Sequence, residues 1–464
     1  MTADEAGDSH LFYWMYPAVD PDAPIAIFLN GGPGASSTFA NFLMNGPMRI
    51  ASTGPGVDDY SVYLADASWV DAATMIFIDQ PVGTGFSFGG PLMTTMEEAA
   101  DQFIYFLDNL FTTYGFVGKD LYFTGESYGG KYLPAFSYAM LLANEQKGET
   151  FFNLQAMMVG DPYTAPLTQR THMYIVPEAT NVLDDSNMPQ IATMIHRCQE
   201  IIANSFYSDT EKGDTCSNIM SYIEDVSGQV FPYDQRIFTE NWDVIEDPTT
   251  NYFTVSGQVQ AIYEAINVAD STKTPVFEMG SSAVATAFAG DQLLDYSWYF
   301  EELYRRELPV LIYAGEFDAQ DGPKTIEYWL RKLTFAGSEQ FWSQSRQIFY
   351  ADVPDTDQIV AGYWRYSEYL TWLTVPKAGH FVPNNNYWAS YQFFTDMIDF
   401  KQLTCHNLVG GCSVVSDRCS FMNECSSHGT CQSNGQCVCD ANWKSADCSM
   451  PVNVLLDNNS GIFD

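Results

Sequence analysis

The stretch TGESYGG, residues 124–130, sets a serine, Ser127, directly beside a carboxylate, Glu126. Within it GESYG fits the Gly-x-Ser-x-Gly pattern of a sharp strand-to-helix turn that lifts a serine hydroxyl to where it can attack a carbonyl. Three fixed residues recur by chance in roughly one chain of this size in seven, and GFSFG at residues 85–89 is a second match, so the surroundings decide. Ser87 lies about eight residues beyond its strand-like run and is followed by the turn-like GGPLMTT, whereas Ser127 follows the run LYFT at once and opens a helical pattern. Ser127 is the candidate nucleophile. Such a serine needs a base to take its proton and a carboxylate to orient that base. Of the later histidines before the cysteine-rich tail, His172 sits in a polar loop and His196 in a helical stretch; His380 ends the apolar run TWLTVPKAG and precedes a proline-containing turn, where a catalytic loop belongs. For the acid, YAGEFDAQDG offers Glu316, Asp318 and Asp321, and the residues alone do not choose among them. Glu126 is the puzzle, because a charge beside the nucleophile opposes the negative charge that builds up during attack.

The elements that position these groups are readable as apolar runs followed by turn signals: IAIFLN (25–30), TMIFID (74–79), LYFT (121–124), AMMVG (156–160), PVLIYAG (309–315) and TWLTVPKAG (371–379). Between them MEEAADQFIYFLDNLF places Phe103, Phe106, Leu107, Leu110 and Phe111 on one helical face, and LPAFSYAMLLANEQ is similarly apolar. Strands alternating with helices predict an α/β fold with a mostly parallel sheet covered on both faces. Residues from about 162 to 308 break that rhythm, being acidic, rich in Asn, Asp and Thr and partly helical, and read as an insertion that caps the carboxyl ends of the strands. After Phe400 the composition turns to Cys, Ser, Gly and Asn, which divides the chain into a large domain over 1–404, a cysteine-rich module over 405–450 and a tail over 451–464.

Twenty Lys and Arg against 58 Asp and Glu leave a net charge of −38, which repels phosphate backbones and argues against nucleic acid as a partner. No apolar run is long enough to span a membrane, and the first residues have neither the basic region nor the apolar stretch of a signal peptide. Eight of the 10 cysteines lie between Cys405 and Cys448, the density of a disulfide module in an oxidising compartment. Cys198 and Cys216, alone in a separate polar region, form the natural remaining pair. Singly spaced cysteines lack the paired knuckles of a zinc site, and no metal or cofactor is expected.

FLNGGPGASS (28–37), FIDQPVGTGFSF (77–88), TGESYGGKYLP (124–134), LIYAGEFD (311–318) and VPKAGHFVP (375–383) resemble, in order, the signature blocks of the serine carboxypeptidase family. The resemblance implies an α/β-hydrolase fold and release of single amino acids from peptide C-termini at acidic pH, in a lysosome, a vacuole or a secretion. It implies Ser127 as nucleophile, His380 as general base and acid, Asp318 as the orienting carboxylate, and the backbone N–H groups of Gly32 and Tyr128 as the oxyanion hole. Asn30, Gly31 and Glu126 correspond to the group that holds the substrate's free carboxylate, and a protonated Glu126 can donate a hydrogen bond where an ionised one repels. Several positions depart from the pattern: Met44 stands where the family carries a second acid, Ala35 where it carries a cysteine tied to the cap, Phe28 for a tryptophan and Asn385 for an aspartate. Met44 is expected to make the adjoining pocket more apolar. The tail resembles an EGF-like domain, which implies pairs of Cys419 with Cys431, Cys425 with Cys437 and Cys439 with Cys448, leaving Cys405 with Cys412 and a role as spacer or protein contact. An acyltransferase on the same triad, or an interaction protein acting through the tail, are the competing functions.

Overall fold

The computed structural model describes residues 1–404, apart from 55, 57–58, 239–242, 255, 258, 269–275 and 355–357, together with 423–431, 437–444, 448 and 450–451. It divides into two compact units, Met1–Leu403 and Thr404–Asp464. In the first unit the apolar runs become the middle of a nine-stranded sheet, in the order Phe12–Tyr16, Thr74–Asp79, Ile25–Leu29, Asp120–Glu126, Asn153–Gly160, Val310–Gly315, Leu370–Val375, Ile359–Tyr366, Gln347–Ala351. The six strands from Thr74–Asp79 to Leu370–Val375 run parallel; Phe12–Tyr16 at one edge and the other two at the far edge pair antiparallel.

Continuous apolar runs are needed here because both faces are covered, so every residue of Ile25–Leu29, Val310–Gly315 and Leu370–Val375 is buried. The pleat sends alternate residues to opposite sides. Ile25, Ile27 and Leu29 enter one core with Ile76, Phe123 and Ile312, while Ala26 and Phe28 enter the other with Phe77, Tyr122 and Leu311. The first core is closed by helices Met96–Tyr114 and Gly129–Lys147. The five positions Phe103, Phe106, Leu107, Leu110 and Phe111 are all buried, and Phe103 lies against Phe123 and Phe136 at ring separations of 5.7 and 4.7 Å. Thr95 caps the first of these helices by accepting from the Glu98 amide, and Gly115, at φ +68°, ends it.

Between Gly160 and Val310 lie helices including Met188–Ile202 and Asp209–Ser227, which are joined by a Cys198–Cys216 disulfide and share a small core of Ile191, Ile219 and Ile223. The end of this interval is different. Val284, Phe288, Tyr299, Phe300 and Leu303 pack into the core beneath the sheet, so the final helix, Trp298–Arg305, is a body element by packing. Three strands at or next to the sheet edges escape an apolar-run reading: Phe12–Tyr16 is half-buried throughout, and Gln347–Ala351 and Ile359–Tyr366 mix exposed and buried positions. Among the described residues no helix is long and apolar enough to cross a membrane.

In the second unit Gly429–Cys431 pairs with Cys437–Cys439, disulfides join Cys425 to Cys437 and Cys439 to Cys448, and His428 stacks on Trp443 at 3.4 Å. The expected pairs Cys405–Cys412 and Cys419–Cys431 fall outside the described side chains. Phe103→Ala, which empties the stacked ring cluster, is expected to lower unfolding free energy by about 3–5 kcal/mol, read from denaturant midpoints at constant m.

Candidate active site

Because the strands run parallel, their carboxyl ends meet at one edge of the sheet, and the sequence-selected groups are delivered there by separate loops. Asn30 and Gly31 follow Ile25–Leu29, Ser127 follows Asp120–Glu126, Asp318 follows Val310–Gly315 and His380 follows Leu370–Val375. Ser127 has φ +60°, the left-handed region that L-residues seldom occupy. Its N–H donates to Gly160 O at 2.9 Å, and its carbonyl accepts from Gly130 and Tyr163 amides at 2.8 Å each. Gly31 is required beside this turn, because a Cβ there would collide with the Tyr128 amide and the Ser127 side chain. That closeness brings the Asn30–Gly32 backbone against the first turn of helix Gly129–Lys147.

His380 Nδ1 and Asp318 Oδ2 are 2.6 Å apart, both residues fully buried. Asp318 Oδ1 accepts from the Gln320 and Asp321 amides at 2.8 and 3.1 Å, so the carboxylate is oriented by its own turn. Burial by itself would depress the His380 pKa, yet the Asp318 charge and hydrogen bond prevail and raise it. Glu316, the rival acid, is exposed. Asp321 is buried but takes a different partner, accepting from Gln169 Nε2 at 3.0 Å.

Glu126 is 1% exposed. Asn30 Nδ2 donates to its Oε1 at 3.2 Å, while Oε2 has no hydrogen-bond partner in the protein. Burial is the chief reason its pKa is raised to about 8; His380 opposes the rise and Asp318 adds to it. Glu126 is therefore mainly neutral at pH 7, which removes the conflict with a neighbouring nucleophile. Asn30, Gly31, Gly32, Glu126, Ser127 and His380 line one cavity of about 340 Å³, whose remaining walls include Phe39, Tyr233, Met279 and Phe381.

Met44 caps the end of helix Thr38–Leu43 and is buried in the apolar core without lining this cavity, so the expected effect on the pocket is not carried by direct lining. At Ala35 a backbone connection joins the loop to residues 279–281: the Ser36 amide donates to Met279 O at 2.8 Å and the Ser281 amide to Gly34 O at 2.9 Å. Asn385 Oδ1 accepts from the Gly379 amide at 2.8 Å, bracing the turn that carries His380. His172 and His196 do not join the site. The first stacks on Tyr328 at 3.9 Å and the second pairs with Glu200 on the surface.

Two contributors were not selected from the sequence. Tyr233 O accepts the His380 amide at 2.7 Å and its ring lies 4.3 Å from the imidazole. Nothing local in FPYDQR marks it, since the contact spans 147 positions by subtraction of 233 from 380. Asp161 is the other, an acid directly after the run AMMVG, and that placement was a usable signal. Among the described residues, Asp161, Asp318 and His380 are the one group of ligand-type side chains whose atoms converge, within 4.8 Å. Two of those three are already bonded to each other, which accounts for the convergence without a cation.

Comparison with known proteins adds the following. Residues 1–399 match the family described as serine carboxypeptidase, and residues 422–451 match a teneurin-like EGF domain. Carboxypeptidase Y of Saccharomyces cerevisiae is 30% identical over 400 residues, covering 82% of this chain and 71% of that protein. A probable serine carboxypeptidase, CPVL, of Dictyostelium discoideum is 28% identical over 396 residues, covering 82% and 74%. Among solved structures, Kex1(delta)P, a prohormone-processing carboxypeptidase from Saccharomyces cerevisiae, superposes with a TM-score of 0.75 at 23% identity, covering 87% of this chain and 89% of that one. That likeness establishes the α/β-hydrolase fold.

A carboxyl whose folded pKa lies above its ordinary value binds more protons when folded. The contribution of Glu126 is thus intact below its ordinary value of 4.5 and is lost as pH rises through about 8. Glu126→Gln is expected to reduce the fall in Tm between pH 5 and pH 9. Parallel Tm curves for the two proteins would contradict a raised Glu126 pKa.

Proposed function

This chain belongs to the serine carboxypeptidase family of hydrolases, and from that premise we propose that Ser127, His380 and Asp318 release single amino acids from peptide C-termini. The observation that carries this reading is that one cavity holds both a serine with its base and a buried, proton-bearing Glu126. His380 takes the Ser127 proton as the hydroxyl attacks the scissile carbonyl, then returns it to the leaving amino group. Asp318 holds the imidazole tautomer and stabilises the imidazolium. The Gly32 and Tyr128 amides face the developing oxyanion, each contributing about 3–4 kcal/mol if it matches known donors of this kind. Water then frees the acyl chain by the same path in reverse.

The departing residue is recognised by its free carboxylate, which the Asn30 amide group, the Gly31 N–H and the Glu126 carboxylic acid are placed to bind. A neutral Glu126 donates; an ionised one repels, so binding fades as pH climbs and the enzyme works best on the acid side. Within the 1–404 body, ahead of the 405–450 module and the 451–464 tail, the insertion from about 162 to 308 supplies the cap over this cavity, except for its end, where Phe300 and Leu303 pack into the body core. The disulfides agree with residence in the secretory pathway, and we place the working compartment in an acidic lumen or secretion, with the EGF-like module contacting a protein or surface.

N-blocked dipeptides assayed at about pH 5 and about pH 7.5 test the reaction. Ser127→Ala is expected to lower kcat by at least about 10⁴-fold, and amino-acid release undiminished by that substitution would reject the assignment. For the clamp, wild-type KM should rise with pH while that of Glu126→Gln stays level, and two superimposable KM profiles would remove Glu126 from substrate binding.

A further inference from the structure

The reaction as assigned leaves one buried acid unused. Asp161 directly follows the strand Asn153–Gly160, next to the strand Val310–Gly315 that leads to Asp318, and is wholly buried with φ +41°. Its amide donates to Tyr313 O at 2.8 Å, and its carboxyl accepts the Gly315 N–H at 3.0 Å by one oxygen and 3.3 Å by the other. The whole residue is thus clamped to the root of the Asp318 turn. An oxygen of Asp161 also comes within 4.8 Å of Asp318 and His380.

Two buried carboxyl groups at such range cannot both be charged unless cations offset them. The charged or titratable groups around Asp161 are Asp318, Glu126, Tyr313 and His380, and the single cationic one, His380, is already bonded to Asp318. A proton on Asp161 removes the repulsion. The acceptor side fits as well. A carboxylate has about four acceptor positions, and on Asp318 the Gln320 amide, the Asp321 amide and His380 Nδ1 occupy three. Burial first, and the nearby Asp318 charge second, raise the Asp161 pKa well above the usual carboxylate range, which agrees with this geometry.

We propose that Asp161 is a positioning residue: as a neutral carboxylic acid it donates a hydrogen bond to Asp318 and fixes the carboxylate that orients His380. It touches neither substrate nor nucleophile. Its effect passes through Asp318, whose carboxyl it keeps from turning away from the imidazole. The role rests on the assignment of Ser127, His380 and Asp318 as the reacting set. An asparagine has the same outline, with an oxygen for the Gly315 amide and an N–H for Asp318, so it should serve in place of the acid.

The experiment uses the full chain with Asp161→Ala and Asp161→Asn, kinetics on an N-blocked dipeptide from pH 5 to 9, thermal unfolding, and the low-field proton NMR signal of the His380–Asp318 bond. Asp161→Ala is expected to lower kcat about 10- to 100-fold, with KM within about twofold and the acid limb of kcat/KM displaced. Asp161→Asn should keep kcat within about threefold of wild type and retain the low-field signal. A folded Asp161→Ala with wild-type kcat and acid limb overturns the proposal, as does an Asp161→Asn protein that loses more than threefold in kcat. If Asp161→Ala does not fold, the asparagine variant decides alone by that criterion. Activity surviving in Ser127→Ala would overturn the underlying assignment instead, so the two failures are separable.

Discussion

Ser127 sits in a backbone conformation that a side chain normally avoids, at a cost of about 1–3 kcal/mol, and much of the surrounding structure holds it there. Its amide is bonded to the end of the neighbouring strand at Gly160, and its carbonyl is bonded both to the helix that follows and to Tyr163, just past that strand. The turn is tight enough that Gly31 must lack a side chain to pass beside it. One strained residue therefore ties together the sheet, the Asn30–Gly32 loop, the helix start and the segment that opens at Tyr163. Its purpose is to project a hydroxyl from a rigid base at the place where several strand ends meet.

The second constraint is electrostatic. Glu126, Asp161, Asp318 and Asp321 are all buried around a single imidazole, in a protein already carrying a net charge of −38. Burial of that many negative charges is prohibitive. The site gives the groups different surroundings. Asp318 is surrounded by donors and paired with His380, Glu126 has one amide donor and keeps its proton up to about 8, and Asp161 sits against another acid. Carboxyls of identical chemistry are thereby set apart by the donors and charges each one meets.

The fold was legible to an unusual depth because six buried strands of a doubly covered sheet must be apolar throughout, and such runs stand out from their turns. The helix of residues 96–114 was equally plain, since its apolar side meets one core. The strands at the far side of the sheet were not, because Gln347–Ala351 and Ile359–Tyr366 mix exposed and buried positions. The interval after residue 162 looked like one insertion, yet Phe300 and Leu303 at its end belong to the body core. An amphipathic helix shows that it has an apolar partner without showing which one.

For the site, residue types and order pointed to Ser127 and His380 as candidates, because a hydroxyl nucleophile needs a sharp turn after a strand and its base needs a loop after another. The family's motif order pointed to Asp318 and Glu126. What the sequence alone could not decide was protonation and reach: that Glu126 is buried and neutral, that Tyr233 braces His380 across the fold, that Met44 faces the core, and that Asp161 stands against Asp318. Those properties depend on desolvation and on distances between residues far apart in the chain, and neither exists until the strands lie side by side.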